Sequence, residues 1–385
     1  MRLARSALVA FLAGSVACGL VFSPGDYGEV APSAPDADAG PAPDAAPQGD
    51  ADLPDGDLVS ARVLLFAGRR AAVPGEPDAV AVAETMRTTL SPSGELGPWT
   101  FDVSPSSAAV WTRAAMVGET LLLQSSSTVL QAPLANGRFD AGWSPLPYRS
   151  SAPEGFFRGW IVSDAGMTAA GGQVEGAFTT NVYVAPFDLR DGGIEPWEES
   201  SSKLVKARGD VTLIRAGSFL YAVGGRDNGA STASGRDEVE VARFEADGGL
   251  GAFEETTRLA DPAADAAAFR VLFPVTAAGA GHLFVIGGQT NASGALSDVA
   301  LAAKIDVATG KLGAWVALPR LPAPMSAAAA LVFGDRVLVF GGRLGEAQSD
   351  GVLALPIAPD GSFGATWEKI GTLPAPRSGL AAVVY

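Results

Sequence analysis

A short cassette recurs six times along this chain and dictates its architecture. Each copy holds a turn glycine, an apolar residue two positions on, and a large aromatic five or six positions on. The copies begin at Gly94, Gly137, Gly192, Gly248, Gly310 and Gly361 and end at Trp99, Trp143, Trp197, Phe253, Trp315 and Trp367. The aromatics follow one another at intervals of 44, 54, 56, 62 and 52 residues. A period near 50 residues implies one supersecondary unit per copy.

Each cassette is preceded by an apolar run that ends in two small residues. The pairs are Ala67 and Gly68, Ser125 and Ser126, Gly171 and Gly172, Gly224 and Gly225, Gly287 and Gly288, and Gly341 and Gly342. Short runs of Val, Leu and Phe closed by glycine read as buried strands. A second strand-like stretch lies between run and cassette, as at 182–185, 239–244, 299–302 and 352–355. Asp-Gly pairs at 191–192, 247–248 and 360–361 mark hairpin turns. Proline-containing turns at 321–324 and 373–376 follow the aromatic, and further apolar stretches at 327–333 and 380–385 follow those. Each unit therefore holds four short strands. No segment has a long 3.6-residue period, so no substantial helix is expected.

Radially repeated four-stranded sheets are propeller blades. The expected fold is all-β, a six-bladed β-propeller of four-stranded antiparallel blades. The first repeat opens near Val63 without the strand that should precede it, and residues 381–385 supply one. The C-terminal strand is thus expected to close the ring and remove its free edges. The glycine-pair strand with its downstream Trp resembles the kelch repeat over residues 58–385. The Tyr usual between them in that repeat is replaced by Phe187, Phe244, Ile305 and Ile357.

Residues 1–17 read as an export signal, with Arg2 and Arg5 before an apolar core. Cys18, the only cysteine, follows. It resembles the lipidated acceptor of a bacterial lipoprotein signal, with Ser15 where that pattern usually has Leu. Ordinary cleavage there, or an uncleaved anchor over 6–22, are the alternatives. Residues 18–57 read as a disordered linker of Pro, Ala, Asp and Gly, with nine acids and no Lys or Arg over 24–57. The propeller is expected over 58–385. The chain carries −15. Two arginines in the signal and nine acids in the linker leave −8 on the propeller, which argues against nucleic acid as a partner. Membrane association is expected only through a lipid on Cys18.

One histidine and no cysteine beyond Cys18 exclude a His/Cys metal cluster. The copper-radical site of galactose oxidase, an enzyme with kelch-like repeats, cannot be built. A Ser-His-Asp triad would depend on His282, which reads as a surface turn residue. No cofactor fingerprint is present. The cassette Trp residues read as blade-to-blade packing, whereas Trp111 and Trp160 are the candidates for lining a channel.

The loops after the second strand are long and polar, and in a propeller they share one face with the inter-blade connections. They nominate Arg226, Asp227, Asn228, Gln289, Asn291 and Arg343 as ligand-binding residues. Arginines also recur near the start of the innermost strand: Arg113, Arg158, Arg208, Arg270 and Arg377, with Met325 in the remaining blade. Converging, they would favour a carboxylate or sugar acid; otherwise each braces its own blade. Two functions follow. One is a binding or scaffold protein of the bacterial cell envelope or surface, periplasmic or secreted if not lipidated, holding a protein or glycan partner without a cofactor. The other is a metal-free enzyme resembling the kelch-type sialic-acid mutarotases, using a carboxylate such as Glu175, Asp227 or Glu346.

Overall fold

The computed structural model describes residues 61–385 except 67–68, 71–79, 82, 92–93, 106–112, 126–127, 135–138, 140–141, 148–152, 154–157, 164–165, 189–192, 228–234, 246–247 and 292–293. The export signal, Cys18, the linker, Trp111 and Asn228 lie outside the described residues. The fold is all-β, with four-stranded antiparallel sheets in a propeller arrangement.

Five sheets are built from consecutive segments of chain, from innermost to outermost strand. Sheet 2 comprises Arg113–Val117, Thr120–Ser125, Thr128–Pro133 and Ser144–Leu146. Sheet 3 comprises Gly159–Ser163, Gly166–Ala170, Val182–Ala185 and Glu198–Glu199. Sheet 4 comprises Thr212–Ala216, Phe219–Val223, Val239–Arg243 and Glu254–Glu255. Sheet 5 comprises Val275–Gly279, His282–Ile286, Ala300–Ile305 and Leu312–Ala317. Sheet 6 comprises Ala329–Phe333, Arg336–Phe340, Gly351–Pro356 and Glu368–Thr372. A further sheet, sheet 1, is composite: Ala381–Val384 pairs with Ala61–Phe66, followed by Thr85–Leu90 and Thr100–Asp102. Its register places Leu64 opposite Val383 and Leu65 opposite Ala382.

The burial gradient across each sheet explains the sequence pattern. Inner strands such as Phe219–Val223 and Ala381–Val384 are buried along their whole length, so they read as unbroken apolar runs. Outermost strands such as Glu198–Glu199 and Glu254–Glu255 are exposed and polar. The only helical element among the described residues is a 3-10 turn, Pro262–Ala264, whose N-cap Asp261 accepts from Ala263 N.

The cassette is the hairpin between third and fourth strands. Its glycine adopts φ of +82° at Gly94, +83° at Gly248, +71° at Gly310 and +80° at Gly361. The apolar residue then pairs with an apolar or aromatic residue at or just beyond the end of the third strand. The pairs are Phe187 with Ile194, Phe244 with Leu250, Ile305 with Leu312, and Ile357 with Phe363. The tryptophan reaches into the preceding sheet. Trp143 Nε1 donates to Val103 O (2.7 Å), Trp315 Nε1 to Thr257 O (3.1 Å) and Trp367 Nε1 to Pro319 O (2.9 Å). The cassettes therefore stitch neighbouring sheets together with a ring, buried at Trp315 and Trp367 and half-buried at Trp143, and its polar edge.

The glycine pair performs the same task from the second strand. The first glycine donates within its own sheet, as Gly341 N does to Gly351 O; the second donates to the next sheet, as Gly342 N does to Arg377 O (2.9 Å each). Gly341 has φ +61°, and a Cβ there would lie 2.5 Å from Arg377 O. Gly345 has φ +63° with open space around it. Gly345→Ala is therefore expected to lose about 1 kcal/mol, the cost of a left-handed L-residue. Gly341→Ala is expected to lose about 2–3 kcal/mol, because a backbone carbonyl must also move. Denaturant midpoints at constant m-value measure the difference, and equal losses would show that close approach contributes nothing.

Two side chains are placed by their ring contacts. Trp160 is half-buried. It makes an edge-on contact with the cassette Trp197, ring centroids 5.3 Å apart, within the core shared by sheets 2 and 3. His282 stands half-buried at the turn that enters its strand, as a turn residue. Its Nδ1 lies 2.6 Å from Ala280 O, and its ring packs on Phe363 of the following cassette.

Candidate functional site

The second glycine of each pair marks the loop-bearing face. Its N–H reaches the segment leading into the next innermost strand, at the carbonyls of Arg208, Val271, Met325 and Arg377. The residue following the pair bridges back to its own sheet's approach segment. Arg226 pairs with Gly209, Gln289 with Leu272, Arg343 with Ser326 and Arg69 with Ser378. With Gln173 after Gly172, five sheets place Arg or Gln at one position on this face. Arg226, Gln289 and Arg343 stand among the candidates from sequence. What joins them into a series is their place directly after the second small residue.

The inner-strand arginines are not equivalent. Arg113 is the first residue of its strand and Arg158 precedes its strand by one residue. Arg208 and Arg377 precede theirs by four, as does Met325. In sheet 5 this position is Val271, not Arg270, and Arg270 is exposed. The irregular turn after Asp261 shifts the count by one. The other four are turned inward and engaged. Arg113 Nε donates to Trp160 O (3.0 Å). Arg158 Nη1 donates to Gly171 O (2.6 Å), with its guanidinium over the Tyr183 ring. Arg377 Nη2 donates to Glu84 (2.8 Å). Arg208 Nη1 donates to Glu240 Oε1 (2.7 Å) and Nη2 to Ala222 O (3.0 Å), with both side chains fully buried. Burial pulls the Arg208 guanidinium below its ordinary pKa, and Glu240 opposes this. Each of these contacts is to a group of this chain, as bracing requires.

A second position on the approach segments stands out. Two residues before the register of the innermost strand, the backbone is left-handed in four sheets: Asp210 (φ +51°), Phe273 (+51°), Ala327 (+55°) and Gly379 (+66°). Gly379 N donates to Ala327 O, and Phe273, Leu272 and Ala327 form a small buried apolar cluster. In sheets 5 and 6 this position is occupied by side chains of that cluster. Asp210 is the one carboxyl group among these residues. Its Oδ2 lies 2.5 Å from Arg226 Nε, and its buried Oδ1 has no hydrogen-bond partner. Burial pushes its pKa up to about 7, while Arg226 opposes the rise.

Around the root of the 226–236 loop lies a charge network. Arg236 Nη1 meets Asp227 Oδ2 at 2.5 Å, and its Nε and Nη2 engage Glu238 at 2.9 and 2.6 Å. Arg258 lies 3.5 Å from Glu238. Asp227 is thus an ion-pair partner, and Glu175 and Glu346 are exposed turn residues. Asn291 Oδ1 accepts Ala295 N and organises its own loop (3.1 Å). Gln289 and Arg343 are half-buried at the rim. Among the described residues no three His, Cys, Asp or Glu side chains are grouped to hold a metal.

The described fold and face define a propeller with a polar, loop-bearing rim. No protein family model matches the chain, and no curated protein matches it in sequence.

Proposed function

We propose that this is an exported kelch-like propeller of six blades, closed by the C-terminal strand, that acts as a binding or scaffold protein at the bacterial cell envelope. The pairing of Val63–Phe66 with residues 381–384 supports closure. A lipid on Cys18 and the 18–57 linker would hold the disc off the outer membrane. The observation that carries the binding reading is the fate of the rim arginines. Arg113, Arg158, Arg208 and Arg377 are buried on internal partners, and Phe273 and Ala327 are buried together in a small apolar cluster. A face of this kind suits a protein or glycan partner across a broad polar surface more than a small ligand in a deep cleft.

The test is binding of the full chain to envelope proteins and to isolated cell-wall glycan, with Arg343→Glu as the rim variant. Saturable binding that this variant weakens is the expected result. Turnover of a sugar acid with no macromolecular binding would overturn it. The mutarotase-like alternative is favoured by one observation, the Asp210 carboxyl titrating near neutrality, where a general acid/base is most effective. Anomer exchange measured by NMR and lost in Asp210→Asn would establish it.

A further inference from the structure

The first residue of a second strand meets the cassette of the next sheet. In sheet 4 that residue is Phe219, whose ring fills the space where a Cβ at Gly310 would fall. In sheet 5 it is His282, whose ring packs on Phe363 with centroids 5.4 Å apart. In sheet 6 it is Arg336, and the cassette above it begins at Gly94 of sheet 1. A Cβ at Gly94 would collide with the guanidinium, so glycine makes room for it. A cation thus stands where two other junctions use a ring.

This junction is left open. Gly94, Glu95, Leu96, Arg336 and Ile370 line a cleft of about 430 Å³, a volume typical of small-molecule sites. Leu96 and Ile370 form its apolar wall, and both pack against the core that joins sheets 5, 6 and 1. Gly371 admits Leu96, since a Cβ there would lie 2.8 Å from Leu96 Cδ1. Ser91 fixes the Glu95 backbone, donating from N to Glu95 O (3.0 Å) and accepting at Oγ from Glu95 N (2.9 Å). Among the described residues the Arg336 guanidinium makes no hydrogen bond, and its Nε is buried without one. The exposed Asp335 lies 3.4 Å from Nε, which leaves both Nη groups unbonded. The Glu95 carboxylate, also exposed, has no ion pair or hydrogen bond among the described residues. A cation and an anion therefore line one cleft without pairing to each other. Buried charged donors without acceptors are expensive and call for an explanation.

We infer that this cleft binds a free aliphatic amino acid such as leucine. The ligand carboxylate pairs with the Nη groups of Arg336, where a bidentate contact is available. The ammonium faces Glu95, and the side chain lies on Leu96 and Ile370. A zwitterion on an aliphatic body is the chemistry that meets all three features. The cleft lies at the end of the sheets that carries the cassette hairpins and the turn at Asp335, opposite the loop-bearing face. The site therefore goes beyond the role proposed above.

The test is isothermal titration calorimetry of the full chain with L-leucine at pH 7, where the ligand carries both charges. The controls are isocaproate, which lacks the ammonium, and isoamylamine, which lacks the carboxylate. Leucine should bind saturably and more tightly than either. Arg336→Met keeps an apolar stem and should weaken leucine about tenfold or more, the loss of a charge-assisted pair. Arg336→Lys restores the charge without the fork and should recover part of that affinity, which a misfolded variant would not. Glu95→Gln should weaken leucine about two- to fivefold, as befits an exposed partner. Arg343→Glu should leave leucine binding unchanged, so the rim role and this site fail separately. No saturable binding by the wild-type chain, isocaproate binding as tight as leucine, or leucine binding that survives Arg336→Met would overturn the inference.

Discussion

Replacing Glu240 by Ala should destabilise the propeller by about 3–5 kcal/mol, the range for removing one partner of a buried ion pair. Glu240 lies on the third strand of sheet 4, and its carboxylate ties down the segment that joins sheets 3 and 4. Oε1 accepts from Arg208 Nη1 (2.7 Å) and Lys206 N (3.0 Å), and Oε2 accepts Val205 N (2.8 Å). Truncation leaves a buried guanidinium without its counter-charge, with only Nη2 still bonded to Ala222 O, and two backbone donors without that acceptor. Native stabilities are only about 5–15 kcal/mol, so the loss is a large share of the total. Removing both charges, as in Arg208→Met with Glu240→Leu, should recover part of it, because the buried cation disappears while the backbone donors stay unpaired. Urea unfolding at pH 7 measures both variants. A single-variant loss below about 1 kcal/mol would mean that water reaches the pair.

Glu240 also shows where the sequence stops being legible. In the run Val239, Glu240, Val241 it has the place of an outward-facing polar residue in an alternating strand, yet it is fully buried. Its partner lies 32 residues earlier in an irregular segment, beyond the reach of periodicity. The cassettes were readable because a glycine in a left-handed turn and an aromatic anchor leave chemical signatures at fixed spacing. The acceptors of Trp143, Trp315 and Trp367 were not, since each lies in the previous sheet and is a backbone carbonyl that any residue supplies. The arginine series failed for a related reason. Counting from an apolar run cannot absorb an irregular turn, so the count falls on Arg270 where the fold places Val271. Asp210, Phe273, Ala327 and Gly379 share a backbone conformation and no side-chain chemistry, so only coordinates align them.

Asp210→Asn should make the protein more stable at alkaline pH and change little in acid. The direction follows from linkage. The folded pKa, about 7, lies above the ordinary aspartate value that the unfolded chain restores. Between about pH 4 and 7 the folded state therefore holds a proton that the unfolded state has lost, and stability falls as pH rises through this window. Above it, a shift of about 3 units corresponds to a deficit on the order of 4 kcal/mol, an upper figure because Arg226 can follow the charge toward solvent. An amide at this site stays neutral, so the variant should escape the deficit, and the gap in unfolding free energy between variant and wild type should open from pH 4 to pH 8. Arg226→Gln should act in the opposite sense. Without the cation the Asp210 carboxylate has no charge partner, and the alkaline loss deepens. A gap that stays constant with pH would mean that Asp210 ionises as freely in the folded chain as in water.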